Sequence, residues 1–289
     1  MKRPILRLQN KHIRFDRTAW IMGVLNTTPD SFSDGGLYFE RESAVEQGLE
    51  LLRQGADILD VGGESSRPES DPISADEEKR RVIPVIHKLR DKTDVLISID
   101  TVKAEVAEAA LDAGADIIND ISALRADPHM GELAARKGVP VVLMHMRGTP
   151  KIMQISPSYD DVLGEIKNFF RERMAAAADY GIAEESLILD PGIGFGKRLE
   201  DNLQLINHLD FFTDLGRPIL VGVSRKSFLG AILNLPVDER LEGTIAASLL
   251  SRLKGAHIIR VHDVAPVKRA LQVAERILQE EPLPAVGTG

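Results

Sequence analysis

The chain has 289 residues, 43% of them hydrophobic and 28% charged, with a net charge of −8 and no cysteine. That length suits one α/β barrel with a large core, and the acidic balance argues against a general nucleic-acid or anionic-membrane surface. Lack of cysteine excludes disulfides, thiolate zinc sites and a cysteine nucleophile.

Short apolar runs alternate with longer amphipathic ones about eight times. The start, Met1 to Asp16, is too interrupted by Arg, Lys and His to be a signal peptide, and the longest apolar run, around Val139 to Met144, is too short to cross a bilayer; a cytoplasmic location follows by default. In chain order the strands read Trp20–Leu25, Asp57–Val61, Val95–Ile99, Asp116–Asn119, Val139–Leu143, Ser186–Leu189, Pro218–Val221 and Ala256–Arg260. Between them helical periodicity covers Ser43–Gln54, Ala75–Leu89, Lys103–Ala113, Pro128–Lys137, Asp160–Tyr180, Leu199–Leu205, Leu241–Lys254 and Ala265–Gln279. Several helices end on a glycine that leads into the next strand, at Gly55, Gly114, Gly138 and Gly255. Apolar strands joined by helices predict a parallel sheet covered on its faces, and eight such units predict a single-domain (β/α)8 TIM barrel over residues 1–289, with a doubly wound open sheet as the alternative. Pro282, Pro284, Gly287 and Gly289 predict a frayed tail over about 282–289. Two long segments, Thr27 to Glu40 and Glu64 to Ser74, are rich in Ser, Pro, Gly and Asp and follow strand ends; loops of that length are usually functional lids.

In such a barrel, residues just past each strand converge on one mouth. Here those positions give Asn26, Glu64 to Arg67, Asp100, Asn119, His145 with Arg147, Asp190, Ser224 to Ser227, and Arg260 with His262. Asp100, Asn119 and Asp190 are short acceptors that suit a flat, donor-rich heterocycle, since a carboxylate can take two parallel N–H bonds; the competing reading is that each only caps the helix that follows. Asn26, Arg67, Arg225, Lys226, Arg260 and His262 suit a phosphate or diphosphate, with solvated surface charge as the alternative, most of all for Arg225. The run Gly192 to Lys197 has a phosphate-loop look, but Pro191 stands where the first Gly belongs and Arg198 replaces the Ser or Thr. His145 and His262 lack partners at zinc-ligand spacing. A hard ion such as Mg2+, carried partly by substrate phosphates, is compatible. No Ser sits in a nucleophile elbow.

At these residues the chain closely resembles the dihydropteroate synthases, from about Trp20 to Val264. The resemblance rests on several separate signatures in order: Gly23-Val-Leu-Asn-Thr-Thr-Pro-Asp-Ser-Phe-Ser-Asp-Gly-Gly36, Asp60-Val-Gly-Gly-Glu-Ser-Ser-Arg-Pro68, Ser98-Ile-Asp-Thr101, Ile118-Asn-Asp120, Leu143-Met-His-Met146, Asp190-Pro-Gly-Ile-Gly-Phe-Gly-Lys197, Ser224-Arg-Lys-Ser227 and Arg260-Val-His262. It implies the same barrel and a folate-pathway transferase that joins 6-hydroxymethyl-7,8-dihydropterin diphosphate to 4-aminobenzoate, giving 7,8-dihydropteroate and diphosphate. It also implies Mg2+, a homodimer and a sulfonamide target. Carried over by motif, Asp100, Asn119, Asp190 and Lys226 would hold the pterin. Asn26 would position the Mg2+–diphosphate, with Ser66, Arg67, Arg260 and His262 around the phosphates. Phe32, Pro68, Phe195, Lys226 and Ser227 would form the aminobenzoate pocket as the two long loops close, and Asp34 would face the reacting centre. Asp34, Lys226, Asp100 and Arg260 are the implied catalytic set. One departure is Ser66, where the family commonly has Thr; a hydroxyl is kept and a methyl lost.

Two other functions are compatible with a pterin-binding barrel. A pterin-dependent corrinoid methyltransferase would share the acceptor triad but has no use for the diphosphate cluster or Ser224-Arg-Lys-Ser227. A non-catalytic pterin-binding paralogue is expected to lose loop residues, yet Asn26, Asp34, Arg67 and Lys226 are all present.

Overall fold

The computed structural model describes residues 4–279 except 9–10, 16–17, 28–36, 66–70, 150–151 and 156. Among these, ten strands and nine α-helices follow one another. A two-stranded antiparallel hairpin, β1 (Ile5–Leu8) and β2 (Lys11–Arg14), comes first. Eight parallel strands come next: β3 (Trp20–Asn26), β4 (Ile58–Gly62), β5 (Leu96–Asp100), β6 (Ile117–Asp120), β7 (Val141–Met144), β8 (Leu187–Asp190), β9 (Leu220–Gly222) and β10 (Ile258–Val261). They pair in the order β8-β7-β6-β5-β4-β3-β10-β9. The ring closes where Leu189 bridges Ile219 and donates its N–H to Pro218 O at 2.9 Å. The architecture is therefore the (β/α)8 barrel, and the open doubly wound alternative is ruled out.

Around the ring lie α1 (Leu37–Arg53), α2 (Ala75–Arg90), α3 (Ala104–Asp112), α4 (His129–Lys137), α5 (Val162–Asp179), α6 (Leu199–Asn207), α7 (Ser227–Leu233), α8 (Leu241–Leu253) and α9 (Val264–Gln279). Most strands run about one residue beyond their predicted ends, which makes Asp100 and Asp190 strand residues. The cause lies at the strand entrances. After the left-handed glycines Gly55, Gly114 and Gly255 (φ 98°, 110° and 107°) the chain reads Ala-Asp, Ala-Asp and Ala-His. Asp57, Asp116 and His257 use their side chains to accept the N–H of Ile21, Ile97 and Ile219 at 2.8, 2.9 and 3.2 Å. Each ties its strand to the start of the preceding neighbour, so regular pairing begins one residue later than apolar character alone suggests.

Helix α7 was not expected from the sequence. It is only seven residues long and ends on Asn234 in the left-handed conformation before Pro236, so it lacks the two or more turns that make a periodic signal. The hairpin was missed for a similar reason: each strand has four residues, and short alternating runs carry little information.

Side-chain alternation divides the core. Outward residues such as Leu59, Ile97, Ile99, Val141, Leu143 and Ile259 pack against the helices. Inward residues from the strand starts, among them Met22, Ile58, Ile117, Val142, Ile188, Leu220 and Ile258, form a second cluster with Leu6, Leu8 and Phe15 of the hairpin segment. The hairpin is thus the plug of the barrel floor. The predicted tail over 282–289 lies outside the described residues.

Leu6 is 1% exposed within that plug. Leu6→Ala is expected to lower unfolding free energy by about 2–4 kcal/mol, read from the urea midpoint; an unmoved midpoint would mean the barrel floor closes without the hairpin.

Candidate active site

Two residues above the apolar layer the inward side chains change character. Asp60 on β4, Ser98 and Asp100 on β5, Asn119 on β6, Asp190 on β8 and Arg260 on β10 share the interior, and the pairing register sets Asp60 beside Ser98 and Asp100 beside Asn119. Asp60 is fully buried. Its Oδ2 accepts from Arg260 Nε at 2.6 Å and from Asn119 Nδ2 at 3.1 Å, while Arg260 Nη2 donates to Asp100 Oδ2 at 2.8 Å. One guanidinium therefore bridges two carboxylates.

Burial pulls the Arg260 pKa down, but the Asp60 and Asp100 carboxylates outweigh it and hold it above the ordinary arginine value. Burial, then the charge of Asp60, pushes Asp100 up to about 7 against the pull of Arg260. Burial likewise raises Asp190 to about 6, opposed by the Gly192 N–H and by Lys226, Lys197 and Arg260. Stacked acceptors in a cavity of low polarity resist carrying full charge until donors arrive.

The capping alternative fails for two of the three acceptors. The first N–H of α3, from Ala104, is bonded by Asp127 at 2.8 Å, which leaves Asp100 free of that duty. Asp120, not Asn119, does the capping on β6: it accepts from Ser122 and Leu124 N–H groups at 2.8 and 2.7 Å. Asp190 spends one oxygen on Gly192 N–H at 2.7 Å. Asp100 Oδ1, Asn119 Oδ1 and Asp190 Oδ2 keep no partner among the described residues, and none is a sealed atom.

Higher up, Lys226 is the residue before α7, with Nζ 3.9 Å from the centre of the Phe195 ring. Burial, then Arg260, lowers its pKa to about 8, with Asp190 and Asp100 pulling the other way. Ser227, the first residue of α7, is exposed. His262 sits two residues past Arg260, its Nδ1 3.0 Å from Ser224 Oγ, which also accepts the His262 N–H at 3.2 Å. Burial and the Arg260 charge bring its pKa down to about 4. Asn26 ends β3 with its side chain exposed at the mouth.

Not every mouth residue serves the cavity. Arg225 is exposed and makes a two-pronged pair with Asp263 at 2.6 and 3.0 Å, as its surface-charge reading anticipated. Arg147 stacks on Tyr159 at 4.6 Å and approaches Glu165 at 3.4 Å, bracing a loop. Glu64 pairs with Lys103, which also reaches Glu78 at 2.5 Å. Phe32, Asp34, Ser66, Arg67 and Pro68 lie outside the described residues. Among the described residues no three His, Asp or Glu side chains gather as a metal cluster, and no helix is long and apolar enough to cross a membrane.

Comparison with known proteins fits this arrangement. The family model described as "Pterin binding enzyme" matches residues 22–262. The chain belongs to that family. It is 48% identical to the dihydropteroate synthase of Escherichia coli K12 over 89% of this chain and 91% of the relative. A structure of Xanthomonas albilineans dihydropteroate synthase with 4-aminobenzoic acid superposes with a TM-score of 0.88, at 45% identity, covering 97% of this chain and 100% of that one. The same enzyme in complex with 7,8-dihydropteroate gives 0.85, at 44% identity over 96% and 100% of the two chains. Within its family the chain is a transferase with dihydropteroate synthase activity.

Three residues of the site escaped sequence reading. Asp60 appeared only inside a signature, although the inward alternation Ile58, Asp60 in an apolar strand marks a buried carboxylate in need of a partner. Lys197 lay in a discarded phosphate-loop pattern. Arg240 gave no signal: it donates to the carbonyls of Arg225, Lys226 and Leu235 at 3.1, 3.3 and 3.1 Å. It occupies space that only Gly230 leaves, since a Cβ there would fall 2.2 Å from its Nη2. It holds Arg225 in its left-handed turn (φ 59°) and so fixes Lys226.

Asp60→Asn is expected to cost about 3 kcal/mol of stability, because it strands the guanidinium among fewer charges. Chemical denaturation measures this, and adding Arg260→Met should recover part of the loss; full additivity of the two would argue against the bridge.

Proposed function

We propose that this chain performs its transfer by dissociative substitution at the methylene of 6-hydroxymethyl-7,8-dihydropterin diphosphate, with 4-aminobenzoate as the acceptor. The observation that carries this reading is the set of three inward oxygens, on Asp100, Asn119 and Asp190, that have no hydrogen-bond partner among the described residues. They offer acceptors to the amino and ring N–H donors of a pterin, while Lys226 offers donors to its ring acceptors. The Asp60–Arg260–Asp100 bridge fixes two of these acceptors before substrate arrives, so binding loses little orientation entropy.

As the C–O bond breaks, conjugation with the ring spreads the positive charge, and the buried carboxylates stabilise it. The diphosphate departs with the bonding electron pair toward Asn26, His262, Ser66 and Arg67. Arg260, whose Nε and Nη2 are engaged by carboxylates, adds its field and the remaining Nη1. The neutral aniline nitrogen then forms the C–N bond in the aminobenzoate pocket, to which the family resemblance assigns Phe32, Pro68, Phe195, Lys226 and Ser227, with Asp34 assigned to the reacting centre. The extra amine proton becomes acidic on bond formation and leaves to the diphosphate or to water, so no strong base is required. That suits a site whose histidines, His145 and His262, are pushed to about 2 and about 4 by burial and nearby cations.

The donor set fits a hard cation such as Mg2+ that takes most of its ligands from diphosphate oxygens and water, with the Asn26 amide oxygen supplied by the chain. When bound, it would neutralise charge on the leaving group. The folate pathway and a cytoplasmic location belong to the same reading. A homodimer also belongs to it, and the neighbouring helices α8 and α9 present Leu250, Leu253, Val273 and Ile277 at 52%, 53%, 60% and 71% exposure, a face that water alone would leave unfavourably wet.

Asp190→Asn should weaken pterin binding by about 1.5–3 kcal/mol, the value of a buried charge-assisted bond; unchanged affinity by calorimetry would remove Asp190 from the pterin site. In a diphosphate-release assay, turnover should require both substrates, and aminobenzoate should bind well only once diphosphate is present. Equal aminobenzoate affinity for the bare protein would refute ordered assembly of the pocket.

A further inference from the structure

Lys197 ends the glycine-rich turn after β8 and is 3% exposed. Its ammonium has only neutral partners among the described residues: His145 Nδ1 at 3.1 Å, Phe195 O at 3.0 Å and His145 O at 3.4 Å. Because an ammonium can only donate, His145 Nδ1 accepts and the imidazole proton sits on Nε2. A buried cation without a bonded carboxylate is costly, and it persists where its field is used.

The geometry shows where that field acts. Gly192 donates its N–H to Asp190 Oδ1 at 2.7 Å. A Cβ on Gly192 would lie 2.0 Å from His145 O and 3.4 Å from Lys197 Nζ, so the ammonium stands directly behind the residue that caps Asp190. The same ammonium holds the carbonyl of Phe195, whose ring lies against Lys226 Nζ. Both the pterin-facing carboxylate and the aromatic wall beside it are thus tied to one buried charge.

We propose that Lys197 is a positioning residue that keeps Asp190 ionised from behind the turn and holds Phe195 against Lys226. The inference rests on the reading that Asp190 binds the pterin. The other charges facing Asp190 are Lys226 before α7 and Arg260 of β10. Those facing Lys197 are Asp190, Lys226 and Asp201 of α6, and Arg125 and Arg147 also act on His145. Burial lowers the Lys197 pKa to about 7, with Asp190 opposing the shift, so its charge is present below neutrality, where Asp190 needs support. Asp190, raised to about 6, loses its charge as pH falls, and pterin binding should weaken along that acidic limb. Without the ammonium the carboxylate becomes harder to ionise and the limb moves to higher pH.

The test measures affinity for 6-hydroxymethylpterin by calorimetry across the acidic and neutral range, in the full-length protein and in K197M and K197Q. Both variants should move the acidic limb up by about one pH unit. Titration of the ligand is common to all three proteins and cancels from the shift. In a D190N background neither substitution should alter pterin affinity further. K197M should also raise the aminobenzoate KM with a smaller change in kcat, and K197Q, whose amide still donates to Phe195 O, should recover much of that KM. If K197M does not fold, K197Q alone decides. A limb left in place in K197Q, an effect that adds independently to D190N, or failure of both variants to fold overturns the proposal in favour of a purely structural lysine. Absence of pterin binding by the unmodified chain would instead sink the site reading itself.

Discussion

The structure turns on a guanidinium shared by two carboxylates inside a barrel. Arg260 reaches from β10 to Asp60 on β4 and Asp100 on β5, and Asp60 extends the link to Asn119 on β6. None of these charges could be buried singly, because desolvation of an isolated ion outweighs any packing gain. Together they are mutually compensating, and their geometry is over-determined by four strands. The arrangement leaves oxygens of Asp100, Asn119 and Asp190 without a hydrogen-bond partner among the described residues, and these are the acceptors on which the proposed pterin site rests.

That polar layer depends on a dry layer beneath it. Inward residues at the strand starts pack with the N-terminal hairpin segment and seal the floor, while the outer faces of the same strands pack against helices. Water therefore reaches the acceptors from the mouth. Exclusion from below raises the pKa values of Asp100 and Asp190 and strengthens every hydrogen bond a ligand makes there. Burial, together with neighbouring cations, lowers the pKa values of His145 and His262 to about 2 and about 4.

Rigidity around the cavity is achieved largely by backbone capture. Arg240 holds the turn that carries Lys226 and Lys197 holds the turn that carries Phe195, while Gly230 leaves the space for Arg240 and Gly192 the space for the His145 carbonyl. These are long cationic side chains spent on carbonyls rather than on carboxylates. They stabilise turns that contain left-handed residues, including the non-glycine Arg225, where backbone strain must be offset by specific contacts.

Much of this protein was legible in its sequence. Eight apolar runs separated by amphipathic ones specify the barrel, because a two-residue and a 3.6-residue period are local properties of the chain. Placing polar residues at strand ends located Asp100, Asn119, Asp190, Lys226 and His262, since the barrel directs all strand ends to one mouth. The short hairpin and α7 were lost because a few residues do not establish a period. Residue type alone points Arg260 and His262 toward phosphates, whereas the electrostatic state of both is set by neighbours far away in the chain. Sequence alone thus determined the eight strands and eight of the helices and which strand-end side chains share the mouth. Tertiary structure alone decided that Arg260 bridges Asp60 and Asp100, that burial lowers the pKa of His145 and His262 and that Lys197 lies behind Asp190, because burial and charge pairing arise only when distant strands meet.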